Sequence, residues 1–582
     1  MLTNGINKWL IKYWHLLLLI IVAACFFIGT ASFNYYSQTI RIDDRIVYKW
    51  LSPDETANYI FAKLYGQESK FSFFEKYNLY ADDIIHPRSF RSDSGWLKPV
   101  SFLGLPLIYG QIIKLTGYVS LPYLTPFLAA VGLIFYYLLI KKIFGKTNAL
   151  VSALLLAGFP VYLYYSARSM FHNVLLMVLL IIALDYAILM VRRKKKINDE
   201  NLFKYKTFYI RPYLFTALSG SFFGLAIITR TSELIWLLPL LLILWIGNIK
   251  KIGLTKLIIF LGFIFLCLLP VMYWNQTLYS SFWRGGYNEM NQSIVNITEA
   301  SAGLVQSSVS GNFGYVKEFL QKLKNNIFYF GLEPKQSLKM LYHYFIVMFY
   351  WFFWPMLTGL ILFFLRIKKW KIKHWVYIIS YFVISLILLF YYGSWGFHDN
   401  PKATSFTIGN SYTRYWLPIY LGGIPFVSLF IVKLTKLFKK KVLIYAARIV
   451  LIALISFISL NFVLYGSEEG LIISFKQLKN YNEELIKVLS LTENNSVIIT
   501  RYHDKVFFPE RKVIVGLFDD KAMNQDYANL VKLLPVYYYN FTFPEKDFNY
   551  LNNSRLPEVG LQIKEVGQVT KDFTLYKLLL IK

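Results

Sequence analysis

The sequence contains many apolar runs that are long enough, or nearly long enough, to cross a lipid bilayer. A transmembrane helix needs about 20 consecutive apolar residues. Eleven candidate runs lie near residues 11–30, 119–140, 148–166, 173–191, 212–229, 232–248, 255–274, 342–365, 375–393, 415–432 and 443–465. Hydrophobic residues make up 56% of the 582 residues, too large a share for a soluble globular protein. The sequence therefore predicts a mainly α-helical, polytopic membrane protein with about eleven transmembrane helices.

Basic residues are concentrated in every second connection between these runs. The basic connections hold 24 Lys and Arg residues and span 141–146, 192–211, 250–256, 366–373 and 433–441. The alternate short connections contain only Arg168, Arg230, Lys402 and Arg414. Because Lys and Arg stay on the cytoplasmic side of membrane proteins, we expect a cytoplasmic N-terminus in the plasma membrane. This topology explains most of the net charge of +29, so no nucleic-acid partner is expected.

The polar segments that fall on the other side of the membrane define the predicted domains. Residues 1–465 form a predicted transmembrane domain with extracytoplasmic loops at 31–118, 275–341 and 393–414. Residues 466–582 alternate short strand-like and helical stretches, which indicates a small extracytoplasmic α/β domain.

The tetrapeptide Ser52-Pro53-Asp54-Glu55 places two carboxylates shortly after the first apolar run. Ser-x-x-Glu is a capping box and Pro favours the first helical position, so a helix is predicted to begin here. Apolar residues then recur at helical spacing and predict an amphipathic helix whose apolar face rests on the bilayer. Asp54 is a candidate general base at the interface. Glu55 is its neighbour in catalysis or the glutamate of the capping box, and a divalent metal ion bound by both carboxylates is an alternative.

Four cations lie at or beside the predicted outer ends of spans: Lys98, Arg168, Arg230 and Arg414. Each has an ordinary explanation, because Lys and Arg side chains reach for the membrane interface and Arg230 can pair with Glu233. Cations gathered at a lipid interface also suit the phosphate or pyrophosphate of a lipid-linked substrate. Lys98, Arg168 and Arg414 are the predicted phosphate ligands, and Arg230 is a weaker candidate.

Further polar and aromatic residues in the outer segments are weaker candidates for substrate binding. A histidine there is more often a satisfied polar residue, and a tyrosine is more often part of the interfacial aromatic belt. These candidates are His86, His172, His398, Tyr412 and Tyr415.

The order of these motifs resembles the GT-C superfamily of polyprenyl-phosphate-sugar glycosyltransferases, in the branch of protein O-mannosyltransferases and lipid A aminoarabinose transferases. The resemblance covers roughly residues 9–465. Its motifs are Asp54-Glu55, Lys98-Pro99, Phe144-Gly145, Tyr164-Tyr165-Ser166-x-Arg168 and Arg414-Tyr415-x-Leu417-Pro418. The chain departs from the family at Val100, where the family has a second proline after its Lys/His-Pro pair.

The resemblance implies an enzyme that transfers a sugar, with inversion, from a polyprenyl-phosphate donor on the outer side of the membrane. The acceptor would be a lipid, a glycan or a protein. Asp54 would take the proton of the acceptor hydroxyl, and Glu55 would tune Asp54 or help to hold a metal ion. Lys98, Arg168 and Arg414 would hold the donor phosphate.

Three other kinds of membrane protein are alternatives. A transporter or a flippase of lipid-linked glycans predicts polar residues at the midplane in broken helices, and Asp185 is the only acidic residue well inside a predicted span. An oligosaccharyltransferase catalytic subunit, from the same superfamily, predicts a Trp-Trp-Asp motif in its C-terminal domain, and the sequence has none. A non-enzymatic polymer-assembly protein gives no reason for the acidic pair.

Overall fold

The structure is a computed structural model that describes residues 2–42, 45–191, 202–287, 321, 325, 331–402, 404–466 and 468–581. Most of the predicted outer loop 275–341 therefore lies outside the described residues. The chain divides into two compact units. The first comprises Met1–Ser32, Tyr123–Tyr273 and Asn288–Ile473, and the second Phe33–Pro122, Trp274–Tyr287 and Ser474–Lys582. The predicted consecutive domains 1–465 and 466–582 stay a prediction.

The chain begins with a long helix, which is followed by a small region of strands and helices. These elements are α1 (Leu2–Gln38), β1 (Thr39–Ile42), β2 (Arg45–Tyr48), α2 (Pro53–Glu68), β3 (Phe73–Phe74), β4 (Phe90–Asp93), β5 (Trp96–Pro99) and α3 (Gly104–Thr116). Strands β1 and β2 form an antiparallel hairpin. Strand β5 lies between β3 and β4 in a three-stranded antiparallel sheet, in which Arg91 pairs with Lys98.

The middle of the chain is a series of mostly apolar helices. They are α4 (Leu121–Phe144), α5 (Lys146–Gly158), α6 (Pro160–Ala167), α7 (His172–Met190), α8 (Leu202–Thr229), α9 (Leu234–Ile246), α10 (Leu254–Tyr279), α11 (Pro334–Leu341), α12 (Tyr350–Phe364), α13 (Ile372–Gly393), α14 (Ser411–Tyr415), α15 (Leu417–Leu434) and α16 (Lys441–Tyr465). The longer helices are apolar on nearly all sides, which is typical of helices in a membrane.

Within the described residues, eight helices are long and apolar enough to cross a membrane, or up to ten spans if two bent helix pairs are each counted as one. The bent pairs are α5 with α6, at 51°, and Pro334–Val347 with Tyr350–Phe364, at 98°. Every predicted apolar run coincides with one of these or with the shorter apolar helix Thr231–Ile246. The helices make the chain an integral membrane protein. The predicted count of about eleven spans is not confirmed, because the helix at Thr231–Ile246 is shorter than a full span.

The bend between α5 and α6 follows from Pro160. A proline has no amide N–H to donate to the preceding turn, and its ring forces the residue before it out of the helical conformation. Phe159 is accordingly extended, with φ of −69° and ψ of 127°. Helix α6 therefore starts in a new direction, and it ends at its C-cap Arg168.

The C-terminal region is a small mixed α/β structure, as predicted. Its elements are α17 (Leu471–Leu491), β6 (Val497–Thr500), α18 (Asp504–Phe507), β7 (Lys512–Val515), α19 (Lys521–Val531), β8 (Val536–Phe541), α20 (Glu545–Tyr550), β9 (Leu561–Gln568) and β10 (Phe573–Leu580). The strand order is β7-β6-β8-β10-β9. Strand β6 is parallel to both of its neighbours, and β10 is antiparallel to both of its own. Alternating apolar residues of these strands form the core, with Val497, Ile499 and Tyr538 at most 1% exposed.

Helix α2 begins at the predicted capping box. The Ser52 hydroxyl accepts a hydrogen bond from the Asp54 amide at 3.3 Å, and the Glu55 carboxylate accepts one from the Ser52 amide at 3.0 Å. Pro53 occupies the first helical position, where its missing N–H costs nothing.

Part of the apolar face of α2 packs within the protein, and the expectation that this face rests on the bilayer stays a prediction. Ala57, Phe61 and Tyr65 are 2%, 0% and 7% exposed. Helix α3 covers this face at Gly110, where a Cβ atom would stand 2.6 Å from the Tyr65 ring and 3.0 Å from the Ala62 carbonyl oxygen. The missing side chain of Gly110 therefore allows the two helices to approach closely.

An ion pair joins the loop before β4 to α18 within the second unit. Arg88 Nη2 lies 2.5 Å from Asp504 Oδ1, and the Arg88 amide donates to Asp504 Oδ2 at 2.8 Å. The Asp504 side chain is fully buried. Burial alone would raise the pKa of Asp504, but the hydrogen bonds and the charge of Arg88 outweigh it and hold this pKa below its usual value of 3.8.

Replacement of Gly110 by alanine is expected to destabilise the second unit, because the new Cβ would press on a backbone carbonyl that cannot turn aside. Overpacking of this kind costs about 1–3 kcal/mol. The measurement is the thermal unfolding midpoint of the purified protein in detergent. Gly567→Ala is the matched control, because a Cβ at Gly567 meets nothing within 4 Å. An unchanged midpoint for Gly110→Ala would contradict the close packing of α2 on α3.

The pair of Arg88 and Asp504 is expected to make stability depend on pH in the acidic range. Because the folded-state pKa of Asp504 is below 3.8, its contribution is complete above that pH and is lost as the pH falls through the folded value. Asp504→Asn should remove this part of the pH dependence of the unfolding midpoint. Arg88→Leu should cost about 3–5 kcal/mol, since it leaves a buried carboxylate unpaired.

Lys70→Gln is the control for Arg88→Leu, because the pair of Lys70 and Glu68 is exposed at 65% and 56%. An exposed pair contributes at most about 1 kcal/mol. Equal losses for the two variants would contradict the special role of the buried Asp504.

Candidate functional site

Asp54 is oriented by a hydrogen bond from a distant serine. The Ser89 hydroxyl donates to Asp54 Oδ1 at 2.7 Å. Ser89 has a positive φ of 64°, a conformation that is uncommon for residues other than glycine and persists where the surroundings hold it. Its neighbour Arg88 is held by Asp504 through both the backbone and the side chain. The ion pair thus fixes the loop that orients the half-buried Asp54 carboxylate.

These supporting residues could not be found from the sequence. Ser89 lies 35 residues from Asp54, and Asp504 lies 416 residues from Arg88. Contacts at such separations leave no local spacing pattern.

The Glu55 side chain is buried in the protein. It is 1% exposed, and its carboxylate accepts the Ser52 amide. These contacts fit the capping role, and the metal ion that Asp54 and Glu55 would hold together stays a prediction. Among the residues that the structure describes, no group of three or more His, Cys, Asp or Glu side chains could hold a metal ion.

Two other predicted site residues of the second unit, Lys98 and His86, are engaged locally. Lys98 Nζ donates to Asp93 Oδ2 at 3.2 Å and to the Leu278 carbonyl at 2.9 Å, and its side chain is 18% exposed. His86 is half-buried, with Nδ1 at 2.9 Å from the Pro87 carbonyl oxygen. A phosphate-binding role for Lys98 would have to compete with these two contacts.

Three of the predicted cations come together in the first unit, joined by two aromatic rings. The guanidinium carbons of Arg168 and Arg414 lie 5.3 Å and 4.7 Å from the centroid of the Phe171 ring. Those of Arg414 and Arg230 lie 5.3 Å and 4.5 Å from the centroid of the Tyr415 ring. Each arginine therefore shares a ring with the next. We call Arg168, Phe171, Arg414, Tyr415 and Arg230 the arginine row.

The first part of the row is held by the junction between α6 and α7. Arg168 is 7% exposed, and its Nη1 donates to the Tyr164 hydroxyl at 3.0 Å. Phe171 is the N-cap of α7. Asn173, the second residue of α7, donates a hydrogen bond from Nδ2 to the Arg414 carbonyl at 3.2 Å. The start of α7 thus fixes the segment that carries Arg414.

Arg414 itself lies on the short helix α14. Asn410 caps this helix and accepts the Tyr412 amide at 3.0 Å. The Tyr165 hydroxyl of α6 lies 3.2 Å from Thr413 Oγ1. Arg414 Nη2 donates to the Ser411 hydroxyl at 2.7 Å, and the side chain remains half-buried.

The far end of the row is an ion pair between Arg230 and Glu233, which the sequence analysis gave as the ordinary explanation of Arg230. Arg230 Nε lies 3.0 Å from Glu233 Oε1, and the Tyr392 hydroxyl donates to the same oxygen at 2.6 Å. The Tyr392 ring stacks on Tyr415 with the centroids 4.4 Å apart. Part of the charge of Arg230 is therefore balanced inside the protein.

Two carboxylates near the row were not among the predicted site residues. Asp399 accepts hydrogen bonds from the Asn410 side chain at 2.6 Å and from the Ser411 amide at 2.9 Å. Glu469 accepts a hydrogen bond from the Thr407 hydroxyl. Burial raises the pKa of Glu469, although the positive charge of Arg168 acts in the opposite direction. The acids make the row less positive overall than its three arginines suggest.

The remaining predicted residues of the first unit differ in exposure. His172 and Tyr412 are 5% and 2% exposed. The Tyr412 hydroxyl donates to the Trp395 carbonyl, and its ring packs on Tyr344 with the centroids 5.1 Å apart. His398 is exposed. Tyr412 therefore fits a packing role, whereas His398 is open to solvent or a ligand.

The arginine row has the chemistry of an anion site. A guanidinium presents a planar fork of N–H donors that matches two oxygens of a phosphate group. Arg414 and Tyr415, in the middle of the row, are half-buried and hence accessible in part. Arg168 and Arg230 are buried, where electrostatic interactions are stronger than in water.

No protein-family model matches the chain, and no curated protein sequence matches it. Several solved structures match its fold. The archaeal oligosaccharyltransferase AglB from Archaeoglobus fulgidus, in complex with an inhibitory peptide and a dolichol-phosphate, matches with a TM-score of 0.50 and 12% identity, over 95% of this chain and 72% of that chain. The apo form of the Archaeoglobus fulgidus oligosaccharyltransferase matches with a TM-score of 0.51 and 13% identity, over 94% and 71%.

A third solved structure matches nearly end to end. ArnT from Cupriavidus metallidurans, bound to undecaprenyl phosphate, has a TM-score of 0.53 and 9% identity, over 97% of this chain and 98% of that chain. Identities this low show the fold alone. AglB and ArnT both belong to the GT-C superfamily. The chain therefore has the GT-C fold, mainly α-helical, with a small α/β region at its C-terminal end.

Proposed function

We propose that the protein is an inverting glycosyltransferase that moves a sugar from a polyprenyl-phosphate donor to an acceptor at the extracytoplasmic face. The observation that carries this proposal is the arginine row, in which guanidiniums from three helix junctions meet on two rings. The fold supports it, because ArnT was solved with undecaprenyl phosphate and AglB with a dolichol-phosphate.

The arginine row binds the phosphate of the donor. As the bond between the sugar and the phosphate breaks, its electron pair moves to the phosphate oxygen, and negative charge grows on the leaving polyprenyl phosphate. Guanidiniums that are already in place stabilise that charge without rearrangement. The half-buried Arg414 makes the first contact, and Arg168 and Arg230 add to the local field.

Asp54 acts as the general base. The acceptor hydroxyl oxygen attacks the anomeric carbon on the side opposite the phosphate, and its proton passes to the Asp54 carboxylate. The sugar passes through an oxocarbenium-like transition state and ends with inverted configuration. Ser89 keeps the carboxylate oriented, and Arg88 and Asp504 keep Ser89 in place. Asp54 and the arginine row belong to different units, so each role has its own test.

The transporter alternative receives no support from Asp185. This residue is 3% exposed, and its carboxylate lies 2.5 Å from Lys142 Nζ. A substrate or proton pathway would use an acidic residue that faces a cavity near the midplane. Asp185 is instead paired near the end of α7 that leads into a basic connection.

The orientation follows from the positive-inside rule. The basic connections are cytoplasmic, as is the N-terminus, and the C-terminal region is extracytoplasmic. The donor carries a hexose or a pentose, and the acceptor is a lipid, a glycan or a protein.

Asp54→Asn is expected to lower kcat about 10²- to 10⁴-fold, because the variant cannot take the acceptor's proton. The measurement is the release of polyprenyl phosphate from a panel of polyprenyl-phosphate sugars by membranes that contain the protein. Glu68→Gln, an exposed change on the same helix, is the control. Full activity of Asp54→Asn would end the general-base role.

Glu55→Gln separates catalysis from capping. Because a glutamine amide oxygen can accept the same hydrogen bond from the Ser52 amide, stability should change by less than about 1 kcal/mol, with most of the activity retained. Loss of activity without loss of stability would instead indicate that Glu55 takes part in the chemical step.

Arg414→Ala is expected to weaken binding of undecaprenyl phosphate about 10- to 100-fold, because hydrogen bonds to charged groups contribute about 1.5–3 kcal/mol. Phe171→Leu should give a smaller loss, since it removes the ring that Arg168 and Arg414 share. Arg366→Ala, at an exposed arginine after α12, is the control. Titration of the detergent-solubilised protein measures each affinity, and unchanged binding by Arg414→Ala would contradict the phosphate role.

A further inference from the structure

A second feature of the first unit is a cavity with mostly apolar walls and a volume of about 470 Å³. Helices α4, α7, α9, α13 and α15 supply the walls, with side chains such as Leu139, Ile181, Leu240 and Ile384. The volume lies in the range of ordinary ligand pockets. No residue of the arginine row lines the cavity, and the cavity wall approaches the row at Trp236, which donates a hydrogen bond to Glu233, the partner of Arg230.

One end of this cavity is basic. Four lysines line it, namely Lys142, Lys251, Lys371 and Lys373, and none of its described lining residues is acidic. Lys142 is paired with Asp185, and Lys373 Nζ donates to the Lys142 carbonyl at 2.7 Å. Within the described part of the chain, Lys251, Lys371 and Lys373 form no ion pair. The cavity therefore presents uncompensated positive charge beside an apolar interior.

A buried hydroxyl in the cavity wall also lacks a partner. Ser380 is 8% exposed, lines the cavity, and its Oγ makes no hydrogen bond to any residue that the structure describes. Buried polar atoms are nearly always hydrogen-bonded, and leaving one unsatisfied costs free energy. A ligand with polar atoms next to an apolar chain would satisfy both the lysines and Ser380.

The lysines belong to three of the basic connections, 141–146, 250–256 and 366–373. They lie where α4 and α9 end and α13 begins. The arginine row lies at the start of α7, between α8 and α9, and on α14, and its Tyr415 stacks on Tyr392 near the opposite end of α13. The basic end therefore faces the membrane leaflet opposite to the donor site. Basic pockets between transmembrane helices on the cytoplasmic side bind anionic lipid headgroups.

We propose that this cavity binds one anionic phospholipid from the leaflet that faces the basic connections. An acyl chain lies between the apolar walls, and the headgroup phosphate lies among Lys251, Lys371 and Lys373. The Ser380 hydroxyl can donate a hydrogen bond to an ester oxygen of the lipid. The bound lipid stabilises the packing of α4, α7 and α13 and takes no part in sugar transfer.

The experiment uses the full-length protein, delipidated in detergent and titrated with phosphatidylglycerol or with phosphatidylcholine of the same chains. Phosphatidylglycerol should bind and raise the thermal unfolding midpoint, whereas phosphatidylcholine should bind far more weakly. The double variant Lys371→Gln, Lys373→Gln should raise the phosphatidylglycerol Kd roughly 30-fold, which corresponds to about 1 kcal/mol for each lysine.

The matched control is Lys368→Gln, Lys369→Gln, which removes the same charge from the same connection but not from the cavity lining. Equal binding of the two lipids, or equal losses in the two double variants, would overturn the proposal. Displacement of phosphatidylglycerol by undecaprenyl phosphate would also overturn the proposal, because it would show that the cavity binds the donor lipid.

A second variant tests the interior of the cavity. Ser380→Leu places apolar volume in the wall and should abolish the stabilisation by phosphatidylglycerol while the lysines remain. If phosphatidylglycerol still stabilises Ser380→Leu, the proposed location of the lipid in this cavity is wrong. Asp54→Asn should bind phosphatidylglycerol as the unmodified protein does, so failure of the proposed enzymatic activity leaves this test intact.

Discussion

A chain that crosses a bilayer must pair every backbone N–H and C=O group within itself, because no water is present to satisfy them. The spanning segments are therefore helices, and irregular backbone and charged side chains collect where helices end or break. The break at Pro160 shows how this works, since it redirects α6 and brings its C-cap Arg168 to the junction with α7. The other two arginines of the row, Arg230 and Arg414, also lie at junctions between apolar helices.

Three arginines can lie this close together because the protein provides partners for them. The rings of Phe171 and Tyr415 each offer a face to two guanidiniums. Glu233 neutralises much of the charge of Arg230. The central Arg414 donates a hydrogen bond to the Ser411 hydroxyl and is half-buried, so an incoming phosphate can reach its guanidinium. Cations and aromatic faces attract each other more strongly when they are partly desolvated.

Features set by local chemistry could be predicted from the sequence. The Ser52 capping box, the apolar runs and the strands of the C-terminal region depend on neighbours within a few residues, and each was found where expected. Distant contacts could not be predicted. Nothing in the sequence of α2 indicates that Gly110 of α3 packs against its residues Ala62 and Tyr65.

The sequence by itself determined that this is a membrane protein, which residues could carry charge at the junctions between its apolar helices, and that a helix begins at Pro53, beside Asp54. Hydrophobic length, charge asymmetry and capping are properties of short segments, so they can be read from the chain. Only the tertiary structure decided that Arg168, Arg414 and Arg230 share two rings, that Ser89 orients Asp54, and that Glu55 serves the cap. Those outcomes depend on residues far apart in the sequence, which come together only when the helices pack.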